Sequence, residues 1–345
     1  RLGAAFGDRI GTLAWNDFRH MELYYAVSGS GMVCHTINPK LFPEQVAYII
    51  NHAEDKILFV DVLVLPLLEA LSEHLAKVEI IVVLTEKTHM PESNLPNLLC
   101  YEELLEAQSD VYEWPEFDEN TASGMCYTSG TTGNPKGVVY SHRSTVLHAL
   151  SGALPDVTGA SNMTTSLPVV PMFHVNAWGA PYAALMVGTK LVLPGPKMVD
   201  GETLHELMVS EKVTVSSGVP TIWMALLDYL EANQKTAPSL KRVHVGGAAC
   251  PRTIVERFRD QHNCVVVQGW GMTETSPLGT VYAMKSGMED FSVEEVTNWY
   301  EETIDTIDLQ PIFIFDQTTC ITVSYTHLRA HETVLDLVCR LLLEK

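Results

Sequence analysis

Residues 127–137 read Y-T-S-G-T-T-G-N-P-K-G. Within these eleven positions lie four hydroxyl side chains (Thr128, Ser129, Thr131, Thr132), three glycines (Gly130, Gly133, Gly137) and one lysine, Lys136. Glycine lets backbone N–H groups approach a ligand without a Cβ in the way. Hydroxyls donate to phosphate oxygens or ligate magnesium. A lysine adds a compact positive charge. The composition describes a segment that holds a polyphosphate. It is not the common P-loop, because the glycine required five residues after Gly130 is Pro135, and Lys136 is followed by Gly137. It is not a nucleophile elbow, because Tyr127 stands where that motif needs glycine.

Outward from this stretch, short apolar runs alternate with helical patterns. Strand patterns are expected within 7–16 and 31–39, each beside a turn, and strands at residues 56–60, 78–84, 122–127, 164–168, 189–193, 213–216, 242–245 and 265–268. Helices are expected at 44–53, 63–75, 101–107, 141–150, 177–186, 201–211, 221–233 and 251–260, with Asp17 capping an earlier one. This alternation predicts an α/β fold with mostly parallel sheets. In such sheets ligands bind beyond the strand C-termini. Two small-residue turns, Gly246-Gly247-Ala248-Ala249 and Gln268-Gly269-Trp270-Gly271, follow expected strands and are candidate walls of one nucleotide slot.

Two further stretches occur in order: V-P-M-F-H-V-N-A-W-G at 170–179 and Q-G-W-G-M-T-E-T-S-P at 268–277. Together with 127–137 and its continuation V-V-Y-S-H-R-S, they resemble the adenylate-forming superfamily of acyl-CoA synthetases, luciferases and peptide-synthetase adenylation domains. The His-Asn-Trp form of the middle motif is similar to that of medium- and long-chain fatty-acid–CoA ligases. The resemblance covers residues 1–295, as part of the large N-terminal domain of stacked α/β subdomains.

The resemblance implies ATP-dependent activation of a fatty acid to an acyl-adenylate, then to acyl-CoA, with ATP, Mg²⁺ and CoA as the small-molecule ligands. Residues 128–136 would wrap the β- and γ-phosphates, with Thr128 and Glu274 on the magnesium and Lys136 neutralising charge. Thr273 matches the threonine that bonds the AMP phosphate. Trp270 stands where the family has an adenine-stacking tyrosine, and core packing is the equal alternative. Gly246, Gly247, Ala248, Gln268, Gly269 and Gly271 would line the nucleotide. His174, with Val175, would lie near the acyl carboxylate, and Trp178 would gate an acyl tunnel. Placed four residues apart on one helix, His174 and Trp178 would share a face. His142 is expected only to cap a helix. An aryl-acid or luciferase-like enzyme, or a nucleotide-binding module without chemistry, are the alternatives.

The net charge of −20, from 22 basic and 42 acidic residues, opposes nucleic-acid binding. Seven cysteines form no CxxC pair, which fits reduced thiols and a cytoplasmic location. No apolar run reaches membrane-spanning length. A homodimer and peripheral membrane contact remain open. Arg1 is not an initiator methionine, so the chain is expected to begin inside a longer protein. The small barrel, ribose-binding aspartate and C-terminal domain of the family are not found, and neither Asp316 nor Lys345 sits in a matching motif. Residues 296–322 are expected to lie outside the resemblance. Residues 324–333 (S-Y-T-H-L-R-A-H-E-T) can be back-translated to a sequencing adapter, so 323–345 are expected to be non-native, with an amphipathic helix at 334–343 as the alternative. The chain is accordingly expected to bind ATP weakly without completing thioester formation.

Overall fold

The computed structural model describes residues 2–128, 134–281 and 295. The first of its two sheets comprises β1 (Arg9–Leu13), β2 (Val33–Thr36), β3 (Ile57–Val60), β4 (Ile80–Val83), β5 (Leu98–Cys100), β6 (Ala122–Thr128) and β7 (Lys136–Ser141), in the order β5-β4-β3-β1-β2-β6-β7. All neighbours are parallel except the β6–β7 pair. The second comprises β8 (Thr165–Pro168), β9 (Lys190–Leu191), β10 (Val215–Gly218), β11 (Arg242–Val245), β12 (Val265–Gly271) and β13 (Leu278–Val281), in the order β13-β12-β11-β10-β8-β9. Here only β12–β13 is antiparallel. The mostly parallel α/β architecture is the expected one.

The reasons are local. The Ile-Ile-Val-Val run of β4 suits a strand covered on both faces. Asp17 caps the helix Phe18–Gly29, its carboxylate accepting from the His20 N–H at 2.8 Å. The helix His142–Gly152 is capped by Ser141 through a reciprocal bond with Ser144, so the cap expected at His142 belongs to its neighbour. The helix expected at 63–75 is broken into Leu65–Leu71 flanked by single 3₁₀ turns. Strands β5, β7 and β13 were not expected. β5 and β13 are short, and β7 follows a Gly/Pro-rich stretch that reads as turn.

Trp223 is fully buried in the core of the second sheet, edge-on to Phe258, with its indole N–H shared between the Gly218 and His244 carbonyls. The two sheets meet through a third cluster in which Ile10, Leu23, Tyr24 and Val82 pack against Val170, Met172 and Ala177. Asn16, completely buried, stitches the same junction. Its amide donates to the carbonyls of Pro168 (3.0 Å) and Val170 (2.8 Å), and its oxygen accepts from the Met172 N–H (2.7 Å). That fixes the segment leading to His174. Residues 282–294 and 296–345, including the unmatched stretch, the tail, Asp316 and Lys345, lie outside the described residues.

Candidate active site

The polyphosphate candidate sits at the open end of the β6–β7 pair, where Thr128 and Lys136 are register partners. Thr128 is half-buried and Lys136 exposed, and among the described residues Lys136 makes no ion pair. Ser129, Gly130, Thr131, Thr132 and Gly133 lie outside the described residues. Lys136 is therefore the first residue of a strand, not part of a turn running into a helix. The Tyr127 hydroxyl is 2.6 Å from His52 Nδ1, and burial, reinforced by the Asp55 carboxylate, pushes the Tyr127 pKa up to about 12.

On the opposite strand Tyr140 is buried, and its hydroxyl donates to the Thr273 carbonyl at 2.7 Å across 133 residues of sequence. That bond draws the pair against the 3₁₀ turn Thr273–Thr275, which carries Glu274, and β6 packs on the same turn. Burial first, then the charges of Cys126 and Glu274, hold the Tyr140 hydroxyl well above its ordinary pKa, so it remains a donor. Thr273 is buried and Glu274 half-buried. Four of the expected residues, Thr128, Lys136, Thr273 and Glu274, thus belong to one joined structure although 145 positions separate the first from the third in the sequence.

The other wall is built from the ends of β11 and β12. Gly246 is buried, and a Cβ there would lie 2.8 Å from the Trp178 ring, so only glycine lets the indole rest on this backbone. Gly247 and Ala248 are exposed beyond it. Trp270 is 41% exposed, and its ring lies over Gly279 of β13. A core position for Trp270 is ruled out by that exposure. At Gly271 any Cβ would come within 1.9 Å of the Pro277 carbonyl oxygen. β12 continues through Gly269, Trp270 and Gly271, three residues beyond the expected end. The Gln268 side-chain oxygen accepts the Cys250 N–H at 3.2 Å and so braces the turn after β11.

His174 also differs from expectation. No helix joins it to Trp178. Val175, Asn176, Ala177 and Trp178 have φ of 45°, 52°, 48° and 56°, a left-handed turn, and the right-handed helix is Ala180–Val187. The i, i+4 argument fails because His174 itself is in extended backbone, outside any helical turn. His174 is exposed, yet the protein around its imidazole holds its pKa below the ordinary histidine value. Val175 is buried and supports the turn from within. Behind Gly179 lies His148, 5% exposed, whose Nε2 accepts the Leu278 N–H at 3.3 Å and whose pKa burial lowers to about 4. His148 carries no local pattern that marks it, and Tyr140 and Asn176, although inside quoted motifs, have contacts that no motif shows because their partners are distant in sequence.

Among the described residues no group of three or more His, Cys, Asp or Glu side chains forms a metal cage, and no helix is long and apolar enough to cross a membrane. A family model described as AMP-binding enzyme matches residues 1–302. The chain belongs to the AMP-binding enzyme family. A medium-chain-fatty-acid–CoA ligase of Ectopseudomonas oleovorans is 51% identical over 295 residues, covering 86% of this chain and 54% of that protein. A 3-methylmercaptopropionyl-CoA ligase of Ruegeria lacuscaerulensis is 50% identical over 295 residues, with the same coverage of 86% and 54%. The crystal structure of a long-chain-fatty-acid–CoA ligase from Archaeoglobus fulgidus superposes with a TM-score of 0.71 at 27% identity, over 81% of this chain and 55% of that one. This AMP-binding chain spans about half the length of the relatives it matches.

Proposed function

We propose that the chain supplies the nucleotide- and acid-binding part of a cytoplasmic ATP-dependent fatty-acid–CoA ligase. The observation that carries this reading is the Tyr140–Thr273 bond, which ties β7 to the turn that carries Glu274. The relatives' names support the acid–thiol ligase class.

In this reading the triphosphate tail lies between Thr128 and Lys136, and the base lies along Gly246, Gly247 and Ala248 against the Trp270 face. The fatty-acid carboxylate attacks the α-phosphorus in line, the bond to the β-phosphate oxygen breaks, and pyrophosphate leaves. Lys136 neutralises charge on the phosphates, and Thr273 holds the α-phosphate. No covalent protein nucleophile is required; positioning does the work. Largely neutral at pH 7, His174 can hydrogen-bond the acid without adding charge. One hydroxyl and one carboxylate, Thr128 and Glu274, fit a magnesium ion that takes its remaining ligands from phosphate and water; when bound, it would screen the phosphate charges. CoA thiolate then displaces AMP from the acyl-adenylate.

The test is acid-dependent exchange of labelled pyrophosphate into ATP by the protein carrying this chain, run with octanoate, palmitate, 3-(methylthio)propionate and benzoate. Exchange with octanoate or palmitate supports the fatty-acid reading. The 50% identity to the Ruegeria enzyme favours a short thioether acid as the second reading, and exchange confined to that acid would select it. Exchange with benzoate alone selects an aryl-acid ligase, and ATP binding without any exchange selects a non-catalytic nucleotide module.

A further inference from the structure

The turn Val175–Trp178 places four consecutive non-glycine residues in left-handed backbone. Such a conformation costs roughly 1–2 kcal/mol per residue, and asparagine alone among these four tolerates it readily. Val175 is β-branched and tolerates it worst. Contacts must hold the turn in place. Val175 and Ala177 are buried at 4% and 0% exposure, and Trp178 rests on Gly246. The remaining contact is polar. The Asn176 side-chain oxygen, itself in a buried residue, lies 3.2 Å from the Tyr24 hydroxyl and 3.5 Å from Cys126 Sγ. Tyr24 also donates to the Met172 carbonyl, so one tyrosine grips the segment on both sides of His174. Cys126 lies in β6, two residues before Thr128, so the same contact ties the turn to the strand that ends at the polyphosphate candidate.

We propose that Asn176 is a positioning residue for the acid side of the site. Its carboxamide, held between Tyr24 and Cys126, keeps the left-handed turn in place and thereby fixes His174 and Trp178 against the nucleotide wall. This rests on the ligase reading for its kinetic consequence but not for its structural one. The competing explanation is that asparagine occurs here only because it accepts positive φ. Asn176→Gly separates the two, since glycine accepts that backbone at no cost but cannot make the contacts.

Two measurements decide. The first is the ¹⁹F resonance of Trp178 in protein labelled with 5-fluorotryptophan, assigned with Trp178→Phe. The second is kcat/KM for the acid in pyrophosphate exchange, beside the affinity for MgATP without acid. Asn176→Gly is expected to move or broaden the Trp178 resonance and to lower kcat/KM for the acid about ten- to a hundredfold, with MgATP affinity unchanged. Tyr24→Phe, which leaves the turn's own residues intact, is expected to do the same. A resonance that stays put in both variants overturns the clamp, as does an Asn176→Gly protein with wild-type kcat/KM. If the wild-type protein exchanges with no acid, the ligase reading fails while the resonance still decides the clamp.

Discussion

At the scale of single residues, charge and space make separate demands. Lys136 is exposed at the mouth of the β6–β7 pair and makes no ion pair among the described residues. Lys136→Ala should therefore leave thermal stability unchanged and weaken MgATP binding about tenfold or more, the scale of one charge-assisted contact, as read by calorimetry. Equal affinity would remove Lys136 from the phosphate site. Gly271→Ala makes the opposite kind of demand. Its Cβ would sit 1.9 Å from the Pro277 oxygen, so backbone must shift, and the cost should be several kcal/mol in urea denaturation. The lysine, the hydroxyls and the glycines could be singled out as candidates because residue type and close spacing mark them. Tyr140, His148 and Asn176 could not, because the partner that gives each its role lies 130, 133 or 152 residues away in the chain.

At the scale of elements, local preference failed where contacts between distant segments override it. The helical pattern ahead of Ala180 suggested one helix from residue 177, yet burial and side-chain contacts hold Val175–Trp178 in the left-handed region. Lys136–Ser141 was not expected as a strand and becomes one because β6 offers a partner edge. The segment entering this turn depends on Asn16. Asn16→Ala removes three buried hydrogen bonds and leaves the Pro168 and Val170 carbonyls and the Met172 N–H without that partner. The expected loss is about 3 kcal/mol or more in denaturant melts. A loss below about 0.5 kcal/mol would mean the junction between the sheets does not depend on it.

At the scale of the whole molecule, the apolar runs that became parallel strands made the fold class readable, since a buried parallel sheet needs them on both faces. How the two sheets meet was not readable, because it rests on isolated polar residues such as Asn16. Burial also sets the response to pH. His20, His148 and His244 are each lowered from 6.5 to about 4, chiefly by burial. Between those values the unfolded chain takes up protons that the folded chain refuses, so stability is full above about pH 6.5 and falls as pH drops toward about 4. Each histidine should contribute a slope on the order of 1 kcal/mol per pH unit, read from urea midpoints at pH 7 and pH 5. A flat profile would contradict neutral burial of these three rings.

The central claim is that the end of β6–β7, the Glu274 turn and the ends of β11 and β12 form one nucleotide site. The most direct measurement is a structure of the protein with a non-hydrolysable ATP analogue and magnesium. The expected result places the triphosphate between Thr128 and Lys136, the ion beside Glu274, and the adenine along Gly246–Ala248 with Trp270 at its face. A nucleotide bound away from Thr128, Lys136 and Glu274 would contradict it.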